Sequence, residues 1–203
     1  EINAETHFPC MDVTGVWKDC FDHAKKEAPG KGTVVAVIDT GVDYTHKDLA
    51  DNIWVNEGEI PGNGIDDDGN GYVDDVYGVD FVDGDSDPMD EHGYGTHVAG
   101  IIAMTPGNGG GVGVAYGAKI MCVRAGQANG SFARSNSAKT IKYATDNDAD
   151  VINMSCGGTG RSYLVESALQ DAFPSCVLVA AAGNDGLPTN DAMLAGYLFT
   201  EDI

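Results

Sequence analysis

The residues of this chain that could carry acid–base chemistry lie in short motifs next to apolar runs. Asp39 directly follows one such run, and the segment Asp90–Gly100 holds His92 and His97 on either side of Tyr94. An imidazole positioned as a general base can accept and return a proton near neutral pH. A phenol, with an unperturbed pKa of about 10, cannot do so. The residue type at position 94 therefore decides which reactions are open to the chain.

The same segments, with two later ones, resemble the motifs of the subtilisin-like serine proteases. Asp39 lies in Val37-Ile38-Asp39-Thr40-Gly41-Val42-Asp43, and the later motifs are Val151–Gly158 and Val179–Asn184. In that family the second motif reads His-Gly-Thr-His-Val-Ala-Gly, and its first histidine is the general base. Alignment on Gly95–Gly100 places that base at Tyr94. The resemblance thus implies a serine endopeptidase scaffold in which a tyrosine replaces the catalytic histidine.

The resemblance also assigns roles to other residues of the expected cleft. Asp39 would orient the ring at position 94, and Asn184 would donate to the oxyanion. Two segments would bind an extended peptide or protein substrate through its main chain; they are Gly130, Ser131 and Phe132, and Ser155, Cys156, Gly157 and Gly158. Phe132 stands where the family often has a small residue, which predicts a narrower groove on that side. A prodomain or an inhibitor is a further partner that the family suggests.

The nucleophile of the family is not found in these 203 residues. It belongs to the motif Gly-Thr-Ser-Met-Ala-Thr-Pro, which does not occur here. We therefore expect a partial domain without its C-terminal third. Rescue of the base by His92, His97 or His46 is not expected, because none of them aligns with the position of the base. The chain is predicted to be inactive as it stands.

Two alternative functions remain open. The first is a calcium-binding pseudoprotease that keeps the peptide groove and acts by binding. The second, more remote, is a dimeric aspartic protease that uses Asp39-Thr40-Gly41. That chemistry needs two such loops whose carboxylates share a proton, and this chain has one.

An acidic segment predicts a structural calcium site. Between residues 57 and 91 there are thirteen carboxylates and no lysine or arginine. The order Asp-x-Asp-x-Asn-Gly within this segment matches the start of a calcium loop, in which alternate residues turn oxygen atoms inward. The predicted ligands are Asp66, Asp68, Asn70, the carbonyl of Tyr72, and Asp74. Position 12 of such a loop would be Tyr77, so a further ligand must come from elsewhere.

Composition excludes some classes of partner. The formal net charge of −21 argues against nucleic-acid binding, which needs a basic surface. No apolar run reaches the roughly 18 residues of a membrane span. Three of the five cysteines, Cys122, Cys156 and Cys176, lie in apolar or glycine-rich contexts and are predicted to be buried thiols. The resemblance favours a secreted or secretory-pathway protein.

The elements that position these residues alternate between strands and helices. Buried strands are predicted at 33–38, 119–123, 151–154 and 176–181, and helices at 95–104, 137–149 and 162–173. In the last helix, Leu164, Leu169 and Phe173 form an apolar stripe. The alternation predicts a three-layer α/β fold with a mainly parallel sheet and helices on both faces. We expect an N-terminal extension at 1–30 and a partial peptidase domain at 31–203, with the acidic insertion at 57–91.

Overall fold

A parallel β-sheet of five strands forms the centre of the protein, which a computed structural model describes at residues 13–23, 27–157 and 162–184. Its spatial order is β2-β3-β1-β4-β5, and every neighbouring pair is parallel. The strands are β1 (Val34–Asp39), β2 (Gly78–Asp80), β3 (Lys119–Arg124), β4 (Val151–Met154) and β5 (Val177–Ala180). Because all strands are parallel, their carboxyl ends meet at one edge, where ligands of such sheets bind.

Four helices connect or flank these strands in the described residues. They are α1 (Val13–His23), α2 (Tyr94–Ala103), α3 (Arg134–Asp146) and α4 (Tyr163–Ala172), and a short 3₁₀ helix spans Ala50–Asn52. The predicted strands and the helices α2 to α4 are confirmed within a few residues. Sequence reasoning missed α1, the 3₁₀ helix and β2. Strand β2 is only three residues long and lies inside the acidic segment, so it contains no apolar run that would predict a strand.

The two faces of the sheet bury alternate residues of β1. Ala36 and Ile38 join the core on the face covered by α3 and α4. Val35 and Val37 join a second core on the opposite face, where Ala99 and Ala103 of α2 pack. Strand β1 is therefore apolar throughout because both of its faces are covered. This arrangement confirms the predicted three-layer α/β class.

The buried face of α4 differs from the predicted stripe. Leu169 is fully buried, but Leu164 is 68% exposed and Phe173 is 57% exposed. Val165 and Ala172 take the places expected for those two side chains. Val165 lies four residues before Leu169 and Ala172 lies three residues after it, so the three share one face of the helix. Because the helix has apolar residues on two faces, the sequence alone did not show which face is buried.

Trp17 of helix α1 packs against the rest of the domain. The Trp17 indole N–H donates to the carbonyl of Val114 at 2.6 Å, and its ring packs edge-on against Tyr116. Among the residues that the structure describes, no helix is long and apolar enough to cross a bilayer.

Helix α2 docks against the end of β1 through a glycine. A Cβ atom added at Gly95 would collide with the carbonyl oxygen of Gly41 and would lie 3.0 Å from Cβ of Asp39. The first turn of α2 can therefore approach the carboxyl end of β1 this closely only if position 95 has no side chain. Gly100, one turn further along, is different, since its nearest neighbour would be the terminal methyl of Met104 at 3.4 Å.

We expect Gly95→Ala to lower the free energy of unfolding by at least roughly 2 kcal/mol, because the clash is with backbone that cannot move locally. Urea denaturation followed by circular dichroism measures this. Gly100→Ala in the same helix is the matched control and should be neutral or stabilising by up to about 1 kcal/mol, as alanine is the better helix former. Equal effects of the two substitutions would contradict the proposed docking contact.

Candidate active site

Asp39 lies at the centre of the carboxyl edge of the sheet. It is the last residue of β1 and stands opposite Arg124, the last residue of β3. On the other side, Ile38 pairs with Met154 at the end of β4. The segments that leave β3 and β4 therefore begin on either side of Asp39. The alternation of strands and helices predicted that Asp39 lies at the carboxyl edge of a parallel sheet, and the family resemblance suggested the two flanking segments.

The Asp39 carboxyl is buried, with 3% of the residue exposed. Burial raises its pKa above the ordinary value, while the hydrogen bond from the Thr40 amide, at 2.7 Å, opposes this shift. The neighbouring Asp90 carboxylate raises the pKa further, and His92 lowers it. A positively charged ring beside the Asp39 carboxyl would therefore stabilise its ionised form. Among the described residues, no imidazole donates a hydrogen bond to this carboxyl.

A hydrogen-bond network around Asp90 fixes the start of α2. One carboxylate oxygen accepts from Thr40 Oγ1 at 2.9 Å and from the amides of His92 and Gly93. The other accepts from the amide and the hydroxyl of Thr96. Although burial raises its pKa, these hydrogen bonds together lower the pKa of Asp90. Asp90 thus caps the helix as a carboxylate and ties it to the residue after Asp39.

Tyr94 is the first residue of α2, adjacent to the close contact at Gly95. Its residue is 63% exposed, and its ring stacks on the imidazole of His92 with centroids 4.6 Å apart and planes 20° apart. In the described part of the chain, neither ring makes a side-chain hydrogen bond. His92 also lies across from Gly130, because a Cβ atom added there would be 3.3 Å from His92 Nε2.

The predicted groove segment 130–132 folds back on the residues that follow β3. The backbone amide of Gln127 donates to the carbonyl of Ser131 at 2.8 Å, and Gly126 forms an antiparallel β-bridge with Phe132. The Phe132 ring is half-buried and covers Gly126, where a Cβ atom would lie 2.7 Å from the ring. The ring thus fills the space, next to Thr40, that a side chain at position 126 would occupy. A narrower groove remains a prediction.

The second predicted segment leaves β4 on the other side of Asp39. Ser155 and Gly157 are exposed, and a Cβ atom added at Gly157 would meet nothing within 4 Å. Cys156 is buried, and burial raises the pKa of its thiol to about 12. Gly158 lies outside the described residues. Asn184, the last described residue, follows the end of β5 at the same edge and is exposed.

The three predicted buried thiols are confirmed. Cys122, Cys156 and Cys176 are free and buried. Their inaccessibility agrees with a packing role.

Sequence reasoning missed Arg124, which links the sheet to the segment before α2. Its side chain is 6% exposed and donates to Asp80 at 2.8 Å, Asp83 at 3.1 Å and Glu91 at 2.7 Å. Its Nε atom has no hydrogen-bond partner in the described structure. The available signal was a single arginine at the end of an apolar strand. A buried guanidinium needs carboxylate partners, and the acidic segment supplies them.

The acidic segment brings together one group of carboxylates that could hold a metal ion. Ligand oxygens of Glu59, Asp68 and Asp75 all lie within 4.8 Å of one another. Glu59 is 6% exposed and Asp75 is fully buried, whereas Asp68 is exposed. Burial raises the pKa of Asp75, although hydrogen bonds from Tyr143, Asn70 and Asn56 oppose the shift. No lysine or arginine is present between residues 57 and 91 to neutralise the group.

The predicted metal ligands take different positions in this loop. Asp68 belongs to the group, and Asn70 donates its side-chain amide to Asp68 and Asp75. The Asp66 carboxylate accepts from the amides of Gly69, Asn70 and Gly71, and Asp74 accepts from those of Asn63 and Gly64. Tyr72 places its ring against Phe81 and Tyr143. Glu59 and Asp75 were not predicted as ligands, although the sequence required one more from outside the loop.

Comparisons with known proteins agree with this arrangement. The sequence profile of the subtilase family matches residues 30–197. The thermophilic serine proteinase of Bacillus sp. (strain AK1) is 42% identical over 160 residues, which cover 78% of this chain and 34% of that protein. Thermitase of Thermoactinomyces vulgaris is 38% identical over 161 residues, covering 78% and 50%.

Similarity extends to other sources and to a solved structure. Subtilisin-like protease 1 of Plasmodium vivax is 45% identical over 123 residues, covering 60% of this chain and 20% of that protein. The crystal structure of a cold adapted subtilisin-like serine proteinase superposes with a TM-score of 0.62 at 31% identity, covering 82% of this chain and 52% of that one. This chain spans half or less of the length of these curated relatives.

If position 94 faces Asp39, the variant Tyr94→His should give an imidazole whose pKa lies roughly one unit above the ordinary value of about 6.5. The sign follows because a neighbouring carboxylate stabilises the protonated ring. NMR titration of the new histidine resonance, identified against the wild-type spectrum, measures it. The control, Asp39→Asn in the same background, should return the pKa to its ordinary value. An unshifted resonance in the single variant would mean that the ring points away from Asp39.

Proposed function

This chain belongs to the subtilase family, and we propose that it forms a part of a subtilisin-like peptidase domain that binds an extended peptide without cleaving it. The observation that carries the proposal is the residue at the start of α2. Tyr94 directly precedes Gly95, which lies against the end of β1, and the buried Asp39 at that end has no imidazole partner in the described residues. The position of the family's general base would thus be held by a phenol.

The difference between the imidazole of a histidine and the phenol of a tyrosine explains the proposed loss of activity. Serine attack requires a base that takes the hydroxyl proton and then gives it to the leaving amine. A tyrosine stays protonated at neutral pH, so it can donate a hydrogen bond but cannot accept this proton. General-base catalysis contributes roughly 10²–10⁴-fold, so its loss alone would account for a large drop in rate. His92 stacks on Tyr94 rather than bonding to Asp39, which supports the same conclusion.

In a longer protein with a histidine at position 94 and the serine motif, we propose the family's endopeptidase activity. Asp39 would orient the imidazole, the imidazole would deprotonate the serine, and Asn184 would donate to the oxyanion. The buried carboxyl and its place at the end of β1 support its role. The dimeric aspartic protease suggested by Asp39-Thr40-Gly41 gains no support from the family match.

The proposed peptide groove runs between the segments that follow β3 and β4. Gly130 and Ser131 would lie along one side of the peptide, and Ser155 to Gly158 along the other, with main-chain hydrogen bonds to each. The open space above Gly157 supports the approach of a peptide backbone there. A prodomain or an inhibitor could occupy the same groove, and the family supports a secretory location. The match that begins at residue 30 supports an N-terminal extension at 1–30 before the peptidase domain.

We also propose a structural calcium ion held by Glu59, Asp68 and Asp75. Two of these carboxylates are buried and close together, with no cationic side chain in the segment. Backbone amides of Asp67, Asp68 and Asp74 donate to Glu59 and stabilise its charge, but like charges this close still repel one another, so a bound cation would stabilise the group. Calcium takes oxygen ligands in flexible geometry, and this donor set consists of carboxylate oxygens only. When bound, the ion would supply the positive charge that holds the three groups together.

A pool of fluorescein-labelled random decapeptides tests the groove. We expect fluorescence polarisation to rise with added protein, and mass spectrometry to find the peptides intact after overnight incubation. Gly157→Val should weaken binding by at least tenfold, or about 1.4 kcal/mol, because its side chain would fill the open space without touching the protein. Thermal melting should confirm that this variant is folded. Cleaved peptides, or labelling of one serine by a fluorophosphonate, would refute the proposed inactivity.

Calcium should raise the melting temperature of the wild-type protein by roughly 5–10 °C when present at a hundred times its dissociation constant. Differential scanning calorimetry measures the shift. Asp68→Asn should remove most of it. The control Asp67→Asn makes the same change in charge at the next residue, whose carboxylate binds the amide of Ile60 and the side chain of Asn63 instead. If both variants respond like the wild type, the ion is not held by this group.

A further inference from the structure

We propose that Tyr143 is a positioning residue that couples the carboxylate group of the acidic segment to the peptide groove. The proposal rests on the calcium site proposed above, and it assigns that site a second effect beyond stability. The coupling would run from Asp75 through Tyr143 to helix α3, and from the start of α3 to the groove segment 130–132.

The first link joins the carboxylate group to α3. The Tyr143 hydroxyl donates to Asp75 Oδ2 at 2.6 Å, between two residues that are fully or almost fully buried. The other contacts of Asp75 come from the acidic segment and its lead-in, since Asn56 and Asn70 donate their side-chain amides to it. Tyr143 is thus the contact by which a helix outside the segment reaches the carboxylate group.

A second link connects α3 with the groove. The helix begins at Arg134, directly after the segment 130–132. Asn136 in its first turn donates to the carbonyl of Phe81 at 2.8 Å, beside the end of β2. The rings of Phe81 and Tyr143 lie edge-on to each other, and Phe132 of the groove segment packs against the same core cluster. A shift of α3 would therefore move the groove segment with it.

Two states of the carboxylate group explain how the coupling would work. With a cation bound, Glu59, Asp68 and Asp75 are held together, and Asp75 is fixed where Tyr143 can reach it. Without the cation, mutual repulsion of the carboxylates favours a more open loop. Asp75 then holds Tyr143 less firmly, and the start of α3 and the groove segment loosen. Because coupling between two sites is reciprocal, a peptide bound in the groove should also tighten calcium binding.

Hydrogen–deuterium exchange of the whole chain, with and without calcium, tests the coupling. In the wild type we expect calcium to slow exchange in residues 59–75 and also in residues 130–146. The second effect should be roughly two- to tenfold, the factor that one ordinary hydrogen bond supplies. In Tyr143→Phe, which lacks only the hydroxyl, calcium should still protect 59–75 but should no longer protect 130–146.

Thr145→Val is the matched control on the same helix. It also removes a hydroxyl, but that hydroxyl bonds to the carbonyl of Ile141 within α3 and does not reach the acidic segment. The control should retain the wild-type response. Isothermal titration calorimetry with calcium chloride separates the two proposals. No binding heat overturns both the calcium site and the coupling. Binding without a change at 130–146 in the wild type overturns the coupling alone, and so does a full response in Tyr143→Phe.

Discussion

The close approach of α2 to the end of β1 is the contact on which the candidate site depends. It requires a residue without a side chain at position 95, and it is fixed by the hydrogen bonds of Asp90 with Thr40 and Thr96. Because these contacts involve backbone and short polar side chains, they set the place of position 94 whatever ring stands there. The same contacts bring Asp39 to the base of the helix. The contacts that hold this helix are therefore separate from the side chain at position 94.

That separation explains how a tyrosine at the proposed position of the base is compatible with an intact fold. Asp39 has the Thr40 amide as a partner and does not need an imidazole for its hydrogen bonding. The Tyr94 ring is largely exposed and rests on His92, so it demands no space in the core. A substitution there would change the available proton chemistry without removing the contacts that position α2.

The acidic segment is organised by a different principle. Its aspartates do not all point to one centre, because many of them accept hydrogen bonds from the loop's own amides. Asp66 and Asp74 accept only backbone amides, whereas Glu59 and Asp68 accept backbone amides and also lie beside Asp75 in the cluster. The segment is also part of the sheet, since it contributes β2 and since Asp80 and Asp83 partner the buried Arg124. The segment is thus joined to the rest of the domain by strand pairing and by ion pairs.

Sequence alone determined the layers of the fold, the strand that carries Asp39, the helix that carries Tyr94 and the acidic nature of the metal-binding candidate. These follow from local properties, because apolar periodicity and short motifs are written in neighbouring residues. Only the tertiary structure decided which face of α4 is buried, that Arg124 joins β3 to Glu91, and that Glu59 and Asp75 lie beside Asp68 in the carboxylate cluster. Each of these depends on side chains that are far apart in the chain or that have several local partners to choose from. Tertiary packing, and not the spacing of residues in the sequence, selects among these possible partners.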